Sequence, residues 1–413
     1  MPFLSGLGAV RGDAGPVRPP SLSPNVAVLG IVSLLMGMSS AMIHGVLPVF
    51  LVTVLGASMA SVGAIEGIAE ATTSFMKIFS GVISDRLGRR KPLVVLGYAL
   101  SAVNKVIFPL AESVSTVLVA RVADRLGKGI RDAPRDALLT DIMPSEIRGA
   151  GFGLRLALYT IGAVVGPLTA IALMWASGDD FRLVFWIALI PGLASIVVLV
   201  IGVREPPNQL SDGGPRLPIR WKDLASLPAR FWWAISLAAI LTLARFSPAF
   251  LVLKAHDVRI DAAFVPAILV VMYLVYSASA YPFGRLADRI DRHVQLAVGI
   301  AVLIGADLVF AYADTIWMTA LGAGLWGLQM GITQGLLAAV IADIAPERLR
   351  GTAFGIFDLA CGVATFTASA GAGAVWMLGG PAATFSIGAS IAFVAVAILL
   401  FRPAIVVGDE QSG

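Results

Sequence analysis

Charge is scarce in this chain: ionisable residues make up 14% of its 413 positions, against roughly 25% in an average soluble protein. Cysteine is scarcer still. The single thiol, Cys361, excludes an intrachain disulfide and argues against a cysteine-built metal centre. The three histidines have no metal-ligand spacing and form no HExxH pair, so no metal is expected and an intramembrane metalloprotease is not in view. No GxxxxGK[ST] loop occurs, which rules out ATP as the direct source of energy. No nucleophile–base constellation can be recognised, so the chain does not read as an enzyme. Thirty basic residues exceed twenty-six acidic ones, but the excess clusters in turns between apolar runs. There it acts as an orientation signal rather than a nucleic-acid footprint.

What the chain has is apolar length. It is 58% hydrophobic with a mean hydropathy of +0.87, more than a soluble fold of this size can hide, so the bilayer is its solvent. With a ruler of about 20 mainly apolar residues per span, twelve spans are predicted. Six lie near 26–55, 58–84, 92–111, 113–141, 149–176 and 181–203; six more lie near 231–255, 262–287, 294–313, 315–343, 350–377 and 381–401. The first run is too long for a signal peptide and is expected to remain as a span. The expected organisation is a tail (1–25), an N-terminal six-helix bundle (26–203), a Pro- and Gly-rich polar linker (204–230), a C-terminal six-helix bundle (231–402) and a short tail (403–413). Lys and Arg concentrate in the even-to-odd turns and the linker, which predicts cytoplasmic termini in an inner-membrane protein.

The two halves repeat each other. Gly81-Val-Ile-Ser-Asp85-Arg86-Leu-Gly88-Arg89-Arg90 has a weaker copy at Gly284-Arg-Leu-Ala-Asp288-Arg289, in which Arg89 answers to Arg292. Asp141-Ile-Met-Pro144 returns as Asp343-Ile-Ala-Pro346, and Phe152-Gly153 as Phe354-Gly355, with an offset near 202. Such duplication predicts two pseudo-symmetric bundles around a midplane site.

On these motifs the chain resembles the major facilitator superfamily over nearly its whole length. The resemblance implies an all-α integral membrane transporter that works by alternating access. It also implies that the Gly81–Arg90 loop and its Gly284 copy form a latch between the halves on the cytoplasmic side. Span five carries Gly153-x8-Gly162-x3-Gly166-Pro167, similar to the family's antiporter motif, although Thr169 and Ala170 stand where a glycine pair is common. That motif implies proton-coupled efflux of a drug or metabolite. Arg121, twenty residues before Asp141, resembles the arginine to which the family gives a role in proton coupling.

The residues themselves point the same way. Glu66 and Glu70 are one helical turn apart in span two, with Lys77 nearly on the same face, and Gly63, Thr73, Ser74 and Gly81 extend the stripe. A polar stripe in lipid should face an aqueous path, where a partly desolvated carboxylate can load and release protons. Glu66, Glu70, Arg121, Asp124 and His44 are therefore the proton-coupling candidates, with permanent Glu70–Lys77 or Glu70–Arg121 pairing as the structural alternative. In span four, Asp124–Lys128 and Lys128–Asp132 are spaced to neutralise each other, and the cytoplasmic half of that run reads as a solvated helix end. Asn104, Arg155, Tyr159, Arg245, Gln329 and Asp358 are candidates for a substrate cavity, and Arg155 could neutralise Glu66 or Glu70. Asp307 reads as an isolated packing group, and the second half as a Phe- and Met-lined wall. The expected partners are the lipid bilayer, protons and a small molecule, with a working monomer and no cofactor beyond the proton gradient. Transport of an organic anion or metal chelate, in either direction, and a transporter-like membrane sensor remain alternatives.

Overall fold

A computed structural model describes residues 24–87, 89–143, 147–205, 227–286, 290–333, 336–345 and 350–401. Gly88, Asp288 and Arg289 of the repeated loop lie outside these residues, as do the side chains of Asp85 and Arg86 and most of the linker.

The described residues form twelve spans in two six-helix bundles. Spans one to six are Pro24–Thr53, Met59–Leu87, Lys91–Asn104 (continued by a 3-10 turn to Ile107), Val114–Asp141, Arg148–Ser177 and Phe181–Gly202. Span seven is broken, Ala229–Ala244 then Ala249–Asp257. Span eight is Ala267–Leu286, span nine Arg292–Tyr312, and span ten is Ile316–Thr333 followed by Leu336–Ile344. Spans eleven and twelve run through Arg350–Phe401 and part at Gly380, whose φ of 75° precedes Pro381. A left-handed glycine followed by a residue without an N–H stops one helix and starts the next.

Seven described helices are long and apolar enough to cross a membrane by composition alone, and the last of them holds two spans. Spans two, three, four and ten fall outside that set. Two and four carry too much charge and three is 14 residues long, while residues 334 and 335 of span ten lie outside the described residues. These four survive as spans because protein covers their polar faces. Trp175, Tyr312 and Trp317 are largely exposed at span ends, as an interfacial aromatic belt requires.

The two ends of the molecule differ. Here the near end is the one at which span one begins and span twelve finishes, and the far end is opposite. At the far end one apolar core is shared by both halves: Leu47, Phe50, Val62 and Ile65 pack with Phe250, Leu251, Ala368 and Trp376. Towards the near end the cores separate. Val26, Leu29, Tyr98 and Leu138 belong to one, Phe231, Ile235, Val340 and Ala353 to another. The molecule is closed at the far end and parted towards the near end.

Far-end closure depends on span two meeting span eleven. A Cβ on Gly63 would collide with the Ser369 carbonyl, and one on Gly373 with the Met59 carbonyl. The backbones touch there because both residues lack side chains. In span five, Gly162 and Gly166 of the glycine motif press against the Leu34 and Met38 carbonyls of span one. Gly153 has open space before it, so the motif packs helices over part of its length only. Buried Pro167 lies within the same helix.

Candidate functional site

Span two has two working faces rather than one polar stripe. Gly63, Gly67 and Ser74 lie against span eleven. Glu66, Glu70, Thr73 and Ser80 face span four, where Thr73 and Ser80 donate to the carbonyls of Arg125 and Gly129 at 3.5 and 2.7 Å. Gly129 lets the helices close, since a Cβ there would stand 2.6 Å from Met76 Cβ.

Between these spans the charges pair in register. Arg121 Nη2 donates to both oxygens of Glu66 at 2.6 Å, and Arg125 Nη2 lies 2.7 Å from Glu70 Oε1. Glu70 therefore pairs with Arg125, not with Lys77 or Arg121. From span one, His44 Nε2 accepts from Arg121 at 2.7 Å and Arg125 at 3.4 Å. A guanidinium can only donate, so this imidazole nitrogen carries no proton. Glu66 and Arg121 are 5% and 2% exposed, and Asp124 is buried one turn further on.

The cluster reaches across the molecule at the break in span seven. Ser247 Oγ donates to Glu66 Oε2 at 3.0 Å, while Ser247 N–H donates to Ser369 Oγ at 3.2 Å. Pro248 deprives the preceding turn of a donor and opens the helix here. One carboxylate thus holds an arginine of its own half and a hydroxyl of the other. Ser247 and Ser369 carry no sequence signal beyond their polarity; the Ser-Pro pair inside an apolar run was the available hint.

Tyr273 of span eight lies within electrostatic reach of Glu70, Arg125 and Tyr159. Tyr159 is 38% exposed in mid-span. Arg245, at the span-seven break, faces Cys361 and Tyr276 and has no hydrogen bond or ion pair from its side chain among the described residues. Lys77 Nζ stands 3.4 Å from Asp358 Oδ2, an ion pair between the halves on the near side of the central region.

Other expected residues sit elsewhere. Asn104 donates to the Ala120 carbonyl at 2.5 Å and is buried between spans three and four. Gln329 is fully buried within the second bundle and donates to Thr333 at 3.0 Å. Arg155 lies 3.9 Å from Asp136 and does not meet Glu66 or Glu70. The near half of span four is no solvated end. Arg131 and Arg135 are 7% and 9% exposed; Arg131 donates to Ser101 at 2.6 Å and covers the Tyr98 ring at 4.5 Å. Asp132 pairs with Arg135 at 2.8 Å, not with Lys128. In the second half Phe246, Trp326 and Phe385 form a packed core, with Phe246 5.3 Å from Phe385 and 5.5 Å from Trp326, while Phe366 lines a pocket against span two.

One described base of each copy of the loop pairs within its own bundle in this state. Arg90 pairs with Asp141, and Arg292 pairs with Asp343. Both partners differ by 202, so Arg90, not Arg89, is the counterpart of Arg292. Glu205 Oε1 accepts from the backbone N–H groups of Arg90 and Lys91 at the start of span three. Arg89 is exposed, and Gly81 makes only an ordinary approach, 3.7 Å to Ala133 Cβ for a Cβ placed there. Gly284 has nothing within 4 Å of that position.

Comparison with known proteins agrees with this architecture. Residues 29–256 and 233–411 match the sequence profile of the Major Facilitator Superfamily. An uncharacterised MFS-type transporter of Methanocaldococcus jannaschii is 33% identical over 92% of this chain and 95% of its own. The multidrug resistance protein MdtH of Cronobacter sakazakii is 26% identical over 78% and 79%. A bacterial homologue of the lysosomal transporter Spinster, solved in an inward-facing and occupied conformation, has the same fold at a TM-score of 0.67. It is 18% identical, covering 93% of this chain and 97% of that one.

Proposed function

This chain belongs to the Major Facilitator Superfamily, a family of transporters rather than enzymes, and we propose that it is a proton-coupled exporter of a small molecule. The observation that carries the proposal is the Glu66 carboxylate, held by Arg121 and by Ser247 of the opposite half. A proton on Glu66 removes the charge that holds Arg121 and weakens the Ser247 contact, so proton binding and far-end closure are linked. Glu70 and Arg125 repeat the ion pair one turn on, where Glu70 is half-buried rather than sealed, and there substrate and proton compete for one guanidinium. Drug-efflux relatives such as MdtH and the glycine motif of span five support export. The Lys and Arg bias supports cytoplasmic termini in an inner membrane, and therefore an inward-open state here. The proton gradient is the energy source, the bilayer the only obligatory partner, and the monomer the working unit.

Proteoliposomes containing the purified protein and loaded with ethidium as a probe cation test this directly. An inward-directed proton gradient should drive ethidium out, with release of the pH gradient in parallel. Glu70→Gln should keep downhill exchange and lose gradient-driven export. Undiminished proton coupling in both Glu66→Gln and Glu70→Gln overturns the assignment. A second reading is favoured by one feature, the Arg245 guanidinium, which has no hydrogen bond or ion pair among the described residues and suits an organic anion. A thermal-shift screen of cations against carboxylates and chelates separates the two, since only an anion should lose its stabilising effect in Arg245→Gln.

A further inference from the structure

Asp307, in the middle of span nine, is fully buried, and neither carboxylate oxygen has a hydrogen-bond partner among the described residues. Its surroundings are aromatic and aliphatic. Phe310, one turn on, stacks on Phe385 at 4.9 Å, and Phe385 in turn meets Phe246. A Cβ placed on Gly388 of span twelve would stand 2.9 Å from Asp307 Oδ2, 3.0 Å from the Phe246 ring and 3.5 Å from the Ala244 carbonyl. The carboxyl therefore lies beside the point where span seven breaks.

That carbonyl is itself short of a donor. In a continuous helix Ala244 would accept from residue 248, but Pro248 has no N–H, and the Ser247 N–H is committed to Ser369. The Asp307 carboxylate and the Ala244 carbonyl both border the Gly388 position, and among the described residues no donor reaches the carboxylate. An ionised carboxylate there would be an uncompensated buried charge, whereas a carboxylic acid supplies the missing donor. No charged group relieves the site from the neighbouring elements. Ile316–Thr333 of span ten and residues 381–401 of span twelve contain no ionisable acid or base. On span seven, Arg245 turns towards Cys361 and Tyr276, and Lys254 pairs with Asp257 at 3.1 Å. Span nine itself carries Arg292 and His293 only at its start, where they bond Asp343 and the Leu399 carbonyl.

The repeat places an ionisable residue at the matching position of the first half. Residue 307 is offset by 202 from Lys105, which is also buried but is satisfied by Ser39 and Ser40 at 2.6 and 3.1 Å. The second half has an acid there and supplies no such partners.

We propose that Asp307 is a proton-binding site of the second half, neutral while the far end is closed and span seven is broken beside it. When the bundles tilt the other way and water reaches the break, the acid O–H gives its proton to water and a carboxylate remains. This site is separate from Glu66, on the opposite side of the span-seven break, and its test does not depend on the proton role of Glu66.

Infrared spectroscopy of the purified, lipid-reconstituted protein reads the proton directly. The wild type should show the C=O stretch of a protonated carboxyl at the weakly hydrogen-bonded end of its range, shifted in heavy water and lost in Asp307→Asn. Absence of that band, or its survival in the variant, overturns the proposal. Should Asp307→Asn fail to accumulate, Asp307→Glu decides: the wild-type band should shift with carboxyl-13C aspartate and the band of the variant should not, and a wild-type band that does not shift, or a variant band that does, overturns the proposal. Electron spin distances supply the second reading, with labels at Leu87→Cys and Leu286→Cys in a Cys361→Ser background. Raising the pH from mildly acid to alkaline should move the near-end distance in the parent to shorter values than the same change produces in Asp307→Asn, so that the difference between the two isolates Asp307 from the glutamates of the first half. An equal shift in both removes Asp307 from the conformational cycle.

Discussion

At the scale of single residues, the buried Glu66–Arg121 pair sets the chemistry. Removing one member leaves the other charged, dry and uncompensated, at a cost of about 3–5 kcal/mol. Glu66→Gln is therefore expected to lower thermal stability in detergent markedly, and Arg121→Gln added to it should recover most of the loss. A double variant no more stable than the single one would mean that Arg121 is held by something other than Glu66. The sequence made both residues visible, because charges in apolar runs stand out. It did not reveal which acid meets which base. Helical spacing offers Lys77 to Glu70, yet the contact comes from span four, because two neighbouring helices present charges at the same four-residue step and mesh in register. Asp307 was equally visible and equally misread. Only the tertiary structure tells a polar residue with a partner from one without.

At the scale of elements, span two joins the halves and carries the site. Its small face touches span eleven through backbone contacts that admit no side chain, so Gly63→Val should block far-end closure without unfolding either bundle. Spin labels on the far-end turns should report a longer distance in that variant, and an unchanged distribution would show that the seal tolerates bulk. Further towards the near end, Lys77 and Asp358 are 42% and 25% exposed, so their pair contributes at most about 1 kcal/mol to stability. Its role is positional. Lys77→Asp should impair transport, and Asp358→Lys added to it should restore activity; failure of the exchange to rescue would assign the two residues separate tasks. The periodic apolar runs located these helices to within a few residues. The break in span seven was less legible, because Ser-Pro inside an apolar run is compatible with a kinked but continuous helix.

At the scale of the whole molecule, one core is shared by the halves at the far end and separate cores lie at the near end, the arrangement the proposed alternating access starts from. The Arg90–Asp141 and Arg292–Asp343 pairs act within their own bundles in this state, which makes them struts of each half. Neutralising Asp141 or Asp343 should loosen its own bundle, seen as faster hydrogen exchange near residues 91–94 or 292–295, with little effect across the halves. Exchange that rises equally in both bundles would restore a latch between them. The amino-acid order alone determined that the chain spans a membrane twelve times, that it does so as a duplicated unit, and where its rare charges fall, because lipid tolerates only helices and punishes every exposed polar group. Which charges face one another, which end is shut, and that Asp307 sits without a partner were decided by packing between helices far apart in sequence. Those contacts depend on the rotation and tilt of each span, and no local pattern encodes either.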